Sequence, residues 1–207
     1  NLTIDGLTTN NVTNGASSIN TYIEGGVFYN DATANVSGFA VSNTTDTAGD
    51  SDLYGGVFAG YSSYSLSNVS ISGTTASSDS YLEGGVGYND GSMTLSSASI
   101  SGTTTSSTAA DIYGGAVASA SDIGLNGVSI DSTTETTGGA DVKGALYTDS
   151  VTTVNGLSVT NTTVNDVGGG NGDVYGAGWF NGDEVSATDV QVPVSYTHLT
   201  LPTILRV

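Results

Sequence analysis

Hydrophobic and polar positions along this chain recur at a period near 30 residues. The clearest copy, Tyr22-Ile-Glu-Gly25-Gly-Val-Phe-Tyr29, returns around Gly55, Gly84 and Gly114, then with a Gly-Ala pair at Gly144 and Gly176. From one anchor glycine to the next the steps are 30, 29, 30, 30 and 32 residues. Read with a period of two, one face of the copy holds Ile23, Leu53, Leu82, Ile112, Val142 and Val174, then the anchor glycine. Val27, Val57, Val86, Ala116, Leu146 and Gly178 come next on that face. An aliphatic-Gly-aliphatic face is an inward one. The other face carries Tyr22, Asp52, Tyr81, Asp111, Asp141 and Asp173, followed by Glu24, Tyr54, Glu83, Tyr113, Lys143 and Tyr175. Glycine weakens an isolated strand, so its return at an inward position predicts that a bulky group or another backbone approaches there.

An offset column repeats in step: Val36…Phe39-Ala-Val41, Leu66…Val69-Ser-Ile71, Leu95…Ala98-Ser-Ile100, Leu125…Val128-Ser-Ile130 and Val154…Leu157-Ser-Val159. Its step of three followed by a step of two breaks alternation once and predicts a bend between two short strands. Thr-Thr pairs at Thr44, Thr74, Thr103, Thr133 and Thr162 are expected to close the coils. No segment is amphipathic at helical spacing. The expected fold is all-β: a single-stranded, right-handed parallel β-helix, a solenoid of about six coils of about 30 residues, stacked ~4.8 Å apart. Copies also alternate between a Tyr-x-Glu and an Asp-x-Tyr form, as a duplicated two-coil unit would.

Residues 1–192 are expected to form one elongated repeat domain, with the chain entering and leaving it in mid-repeat. From Pro193 the register fails: residues 193–207 contain no glycine and no acid and match no coil. The run Val194-Ser-Tyr-Thr-His-Leu-Thr-Leu-Pro-Thr203 resembles a translated sequencing adapter and is set aside from fold reasoning. Residues 1–192 then hold Lys143 as the single base against 20 acids, a net of 1 − 20 = −19.

That balance narrows the chemistry. With no His, Arg or Cys in 1–192, thiolate-metal sites and Ser/His/Asp or Cys/His nucleophilic arrangements are excluded there. A strongly acidic surface also excludes phosphate-backbone binding of nucleic acid. No run approaches the ~18 apolar residues of a membrane span. Carboxylates remain: Asp111, Asp141 and Asp173 occupy one column of successive coils, and calcium is the cofactor their hard oxygens suit. Lys143, between Tyr113 and Tyr175 and diagonal to Asp111 and Asp173, reads as a local charge balance. Adjacent threonines point to opposite faces, so the Thr-Thr pairs are expected to make turn hydrogen bonds rather than a flat ice-binding array. Phe28, Phe58, Val117, Tyr147 and Trp179 are expected to form an outward ladder, either stacking on glycans or covered by neighbouring loops.

The Gly-Gly-Val copies, Gly114-Gly-Ala-Val117 and the Tyr-Asn-Asp turns resemble the β-helical passengers of bacterial autotransporter and polymorphic outer-membrane proteins. The resemblance spans residues 1–192, although only one copy has the Gly-Gly-Ala-Val form and no regular Phe-x-x-Asn repeat accompanies it. It implies an extracellular, surface-displayed adhesin segment, followed in its parent by a C-terminal translocator barrel, with host glycans or surface proteins as partners. The competing expectation is a piece of a carbohydrate-active β-helix enzyme.

Overall fold

The computed structural model describes residues 2–16, 21–167 and 172–193. Among them every regular element is a β-strand, and every strand pair is parallel. The first full coil runs through five short strands, Tyr22–Glu24, Phe28–Asn30, Ala34–Ser37, Ala40–Ser42 and Thr45–Thr47. Later coils follow the same course. Where hydrogen bonding continues through the corners the last three strands merge, as in Met93–Ser107 and Ile123–Thr137.

Strands stack on their counterparts one repeat away. Ile23, Leu53, Leu82, Ile112 and Val142 align in a 5-stranded sheet. Phe28, Phe58, Gly87, Val117, Leu146 and Trp179 align in a 6-stranded one. The remaining strands form a 13-stranded sheet in which Val36, Leu66, Leu95, Leu125 and Val154 share a register column. The molecule is thus a parallel β-solenoid of about six turns. Its interior stacks like on like: Leu66, Ile71, Leu95, Ile100, Leu125 and Ile130 are all fully buried. Each such side chain contributes roughly 1.5–3 kcal/mol by leaving water.

Single left-handed residues make the corners. All six anchor glycines have φ between 54° and 70°. A second corner is held by Gly38, Asn68, Ser97, Gly127 and Gly156, and a third by Asn43, Gly73, Gly102, Ser132 and Asn161. These are mostly the residue types that reach this region at least cost. One left-handed residue turns the chain and resets the alternation, so Leu66 and Val69 both point inward around Asn68. The bend read from the three-then-two spacing is this corner.

The Thr-Thr pairs do not lie in turns. Just after the third corner, Thr44, Thr74, Thr103 and Thr133 face inward with hydroxyls that are buried and without a hydrogen-bond partner. Their neighbours Thr45, Thr75, Thr104, Thr134 and Thr163 form an outward column, with Thr47, Ser77, Ser106 and Thr136 two residues further on. A Thr-x-Thr or Thr-x-Ser face is therefore present. It arises from the outward member of each pair and the residue two positions later, not from the pair itself.

The inward column two residues after those threonines contains Asp46 and Glu135, both fully buried. Asp46 Oδ1 accepts the Asn14 amide at 2.7 Å and Glu135 Oε1 accepts the Gly115 N–H at 2.9 Å. Asp46 Oδ2 and Glu135 Oε2 are without a partner. Burial pushes the Asp46 carboxyl up to about 7 and that of Glu135 up to about 8, against the lowering effect of those two hydrogen bonds.

The close approach predicted at the glycines has two parts. A Cβ on anchor Gly55 would stand 1.9 Å from the Phe58 carbonyl oxygen and 2.8 Å from the Tyr88 nitrogen, so backbone fills that side. The second glycine also faces side chains: Gly56 meets Asp46 beside the Gly85 carbonyl oxygen, Gly85 meets Thr105 beside that of Gly115, and Gly115 meets Glu135.

Candidate functional site

The left-handed anchor glycine sets the strand before it and the strand after it into two different sheets. Outward residues of the two sheets meet across this angle. Tyr54, from the 5-stranded sheet, lies 5.1 Å ring to ring from Tyr88 of the 6-stranded sheet. Tyr113 and Tyr147, two coils on, repeat the pair at 5.2 Å.

From these pairs a continuous aromatic ladder runs along the rod. Centroids step from Tyr22 to Tyr54 by 6.3 Å, to Tyr81 by 5.8 Å, to Tyr113 by 5.5 Å, then from Tyr147 to Phe180 by 5.7 Å. A branch goes from Tyr88 to Tyr61 and on to Tyr29, each step 5.7 Å. Tilted contacts of this kind contribute roughly 0.5–1.5 kcal/mol each beyond area burial.

This is not the ladder expected from sequence. Phe28, Phe58 and Val117 are buried in the interior, and Trp179 packs against the same core. Tyr147 does face outward, but in the column of Tyr29, Ala59, Tyr88, Ala118 and Phe180. The reason is again parity: the left-handed glycine resets the alternation, so the residue called outward on simple counting turns in. Coil five is also one residue shorter at this point, since Val142 pairs with Ile112 at a separation of 30 residues and Leu146 with Val117 at 29. Leu146 accordingly stacks on Val117, not on Ala116.

Carboxylates line the ladder and accept its phenol hydrogens. Tyr81 donates to Glu83 at 2.8 Å, Tyr61 to Glu24 at 3.1 Å and Tyr113 to Asp111 at 3.2 Å. Burial, then Asp52 and Glu83, push the Tyr54 phenol up to about 12. Burial, then Asp111, do the same for Tyr113. Glu83 is only 8% exposed, and burial raises its carboxyl against the lowering hydrogen bonds from Tyr81 and Tyr88. Between coils two and three the face opens into a shallow depression of about 420 Å³ lined by Asp52, Tyr54, Ser80, Tyr81, Glu83, Tyr88 and Ala120.

Asp111, Asp141 and Asp173 stand in one column, as the spacing indicates. Asp111 Oδ1 accepts the Asp141 N–H at 2.9 Å and Asp141 Oδ1 accepts the Asp173 N–H at 2.8 Å. These carboxylates thus tie each coil to the next. Among the described residues no three His, Cys, Asp or Glu side chains converge to hold a metal ion.

Lys143, expected as a charge balance, has its ammonium among rings. Its ammonium sits 4.2 Å from the Tyr113 centroid, with Tyr147, Phe180 and Tyr175 at 5.8, 5.9 and 6.0 Å. His198 and Arg206, with the rest of the tail from Val194, lie outside the described residues.

Compared with protein-family models, with curated proteins and with solved structures, the chain matches none.

Proposed function

We propose that this chain is a non-catalytic binding segment of a surface-displayed or secreted stalk, of the adhesin type found in β-helical passengers. The observation that carries the reading is the aromatic ladder: a laterally continuous, partly exposed row of rings on a rod whose outward columns elsewhere carry Ser, Thr, Asn and Asp. A solenoid of stacked coils supplies reach, and a ladder that repeats with the coils supplies many equivalent contacts along one partner. The resemblance to autotransporter passengers supports the extracellular setting, with host glycans or surface proteins as partners.

Adhesion tests the reading directly. Beads carrying the protein are layered on surfaces coated with glycans or with extracellular proteins, beside beads carrying a Tyr54→Ala/Tyr113→Ala variant. Retention that the double substitution abolishes is the expected result. Equal retention of both, or of neither, overturns it.

One observation favours a second reading. Glu83, with its carboxyl raised by burial, and Asp52 line the same depression among tyrosines, as a carboxylate pair in a polysaccharide hydrolase does. New reducing ends released from a neutral polysaccharide, lost in Glu83→Gln, would put the enzyme reading first.

A further inference from the structure

We infer that the depression between coils two and three is a binding site for an alkylammonium group, and that its occupant is a lysine side chain presented by a basic segment of a partner protein. The inference names the ligand of the face just described and rests on reading that face as a ligand surface.

The protein carries its own example of the occupied site. Coils four and five repeat coils two and three: Asp111 stands for Asp52, Tyr113 for Tyr54 and Tyr147 for Tyr88. The ring pairs match closely, 5.1 Å for Tyr54 and Tyr88 against 5.2 Å for Tyr113 and Tyr147. In the later pair the Lys143 ammonium rests on the Tyr113 ring, 4.2 Å from its centroid, with Tyr147 alongside. In the earlier pair the position of Lys143 in the register belongs to Glu83, and that of Asp141 belongs to Tyr81.

The substitution inverts the charge of the site and keeps its shape. Where coil five fills the aromatic angle with an internal cation, coil three leaves the angle open, adds a third ring and places a carboxylate at its base. Ring faces are electron-rich and attract ammonium groups, more strongly once desolvated. Glu83 and Asp52 supply the counter-charge. Lys143 is the only Lys or Arg among the described residues, so the cation for the angle of coils two and three comes from outside those residues. A lysine side chain is favoured because the filled copy holds one, its ammonium within 6.0 Å of four rings of the same ladder. The chain's formal charge of −18 draws a basic segment toward this surface.

The test uses the whole chain and Nα-acetyl-lysine-N-methylamide as probe, followed by tyrosine ring resonances in NMR at fixed ionic strength. Saturable shifts confined to Tyr54, Tyr81 and Tyr88 are expected, with affinity at least ~10-fold weaker for the Nε-acetylated, uncharged probe. Glu83→Lys writes the coil-five residue into coil three and is expected to abolish binding. Lys143→Ala, which empties the second angle, is expected to add a second saturable site at Tyr113 and Tyr147. Shifts spread over all acidic faces, equal binding of the uncharged probe, or a Lys143→Ala protein with the same single site would overturn the inference. Glucosamine binding as tightly as the lysine probe would overturn its assignment to a protein lysine. Lysine binding that persists while the coated-surface adhesion fails leaves the site standing and removes the stalk reading alone.

Discussion

Glu135 reaches across the solenoid to Gly115, where its Oε1 accepts the amide hydrogen at 2.9 Å and lies 2.0 Å from the place a Cβ on that glycine would take. The second glycine of the motif is thus explained by a buried acid twenty residues away. Gly115→Ala is expected to destabilise the protein by ~1–3 kcal/mol, the usual cost of overpacking. Added to Glu135→Ala, the same change is expected to cost much less, because the obstructing carboxylate is gone. A denaturant-unfolding double-mutant cycle reads the coupling, and additive effects would separate the two residues.

The two interior acids make stability depend on pH. Burial raises the folded carboxyls of Asp46 and Glu135 to about 7 and about 8, from 3.8 and 4.5. Between the lower and upper values the folded chain binds more protons than the unfolded one, so stability falls as pH rises. The contribution is complete below about pH 4, is lost progressively toward pH 8 and changes no further above it, with a slope of at most ~1.4 kcal/mol per pH unit for each group. Melting followed by circular dichroism is expected to show the midpoint dropping across this window. Since the general acidity of the chain acts in the same direction, the discriminating variants are Asp46→Asn and Glu135→Gln. Each is expected to flatten the curve and to raise stability at pH 8; an unchanged slope would mean these acids ionise freely in the fold.

Two glycines separate the cost of backbone geometry from the cost of crowding. Gly84 has φ of 66° and a Cβ there would lie 1.8 Å from the Gly87 carbonyl oxygen, whereas Gly127, at 63°, has nothing within 4 Å. Gly127→Ala is expected to cost only the left-handed penalty, ~1–2 kcal/mol. Gly84→Ala carries that penalty plus a collision with backbone that cannot swing aside, and is expected to cost clearly more. Equal unfolding free energies for the two variants would show that the anchor corner relaxes.

These corners also mark how far the sequence could be read. The repeat, the parallel stacking, the inward columns through Leu66 and Ile71 and the bend at Asn68 all follow from spacing, because a solenoid writes each contact as a periodicity. What depends on alternation was legible only up to a left-handed residue. Beyond Gly55 the parity is reset, so Phe58 turned in where counting put it out, and the outward ring became the next residue along, Tyr29 or Tyr88. The tyrosines at 22, 54, 81 and 113 were placed outward correctly, but their union with Tyr88 and Tyr147 needs the angle between two sheets, which no periodicity states. Asp46 and Glu135 sit two residues after the inward threonines, and that spacing could have flagged them. Their acidity argued for the surface instead.

The inward threonines supply the last prediction. Thr103 is 1% exposed, and its hydroxyl is buried without a hydrogen-bond partner in the middle of the fused strand Met93–Ser107. Desolvating a hydroxyl that gains no partner costs about 1–3 kcal/mol. Valine keeps the β-branch, the volume and the strand preference while removing that oxygen. Thr103→Val is therefore expected to stabilise the protein by ~1 kcal/mol or more, with the gain repeating at Thr74 and Thr133 and adding across coils only in part, since the hydroxyls lie in neighbouring layers. Equilibrium unfolding of the single and triple variants checks it. A loss of stability in Thr103→Val would mean that the hydroxyl is satisfied in solution and that the threonine column is a polar ladder within the core.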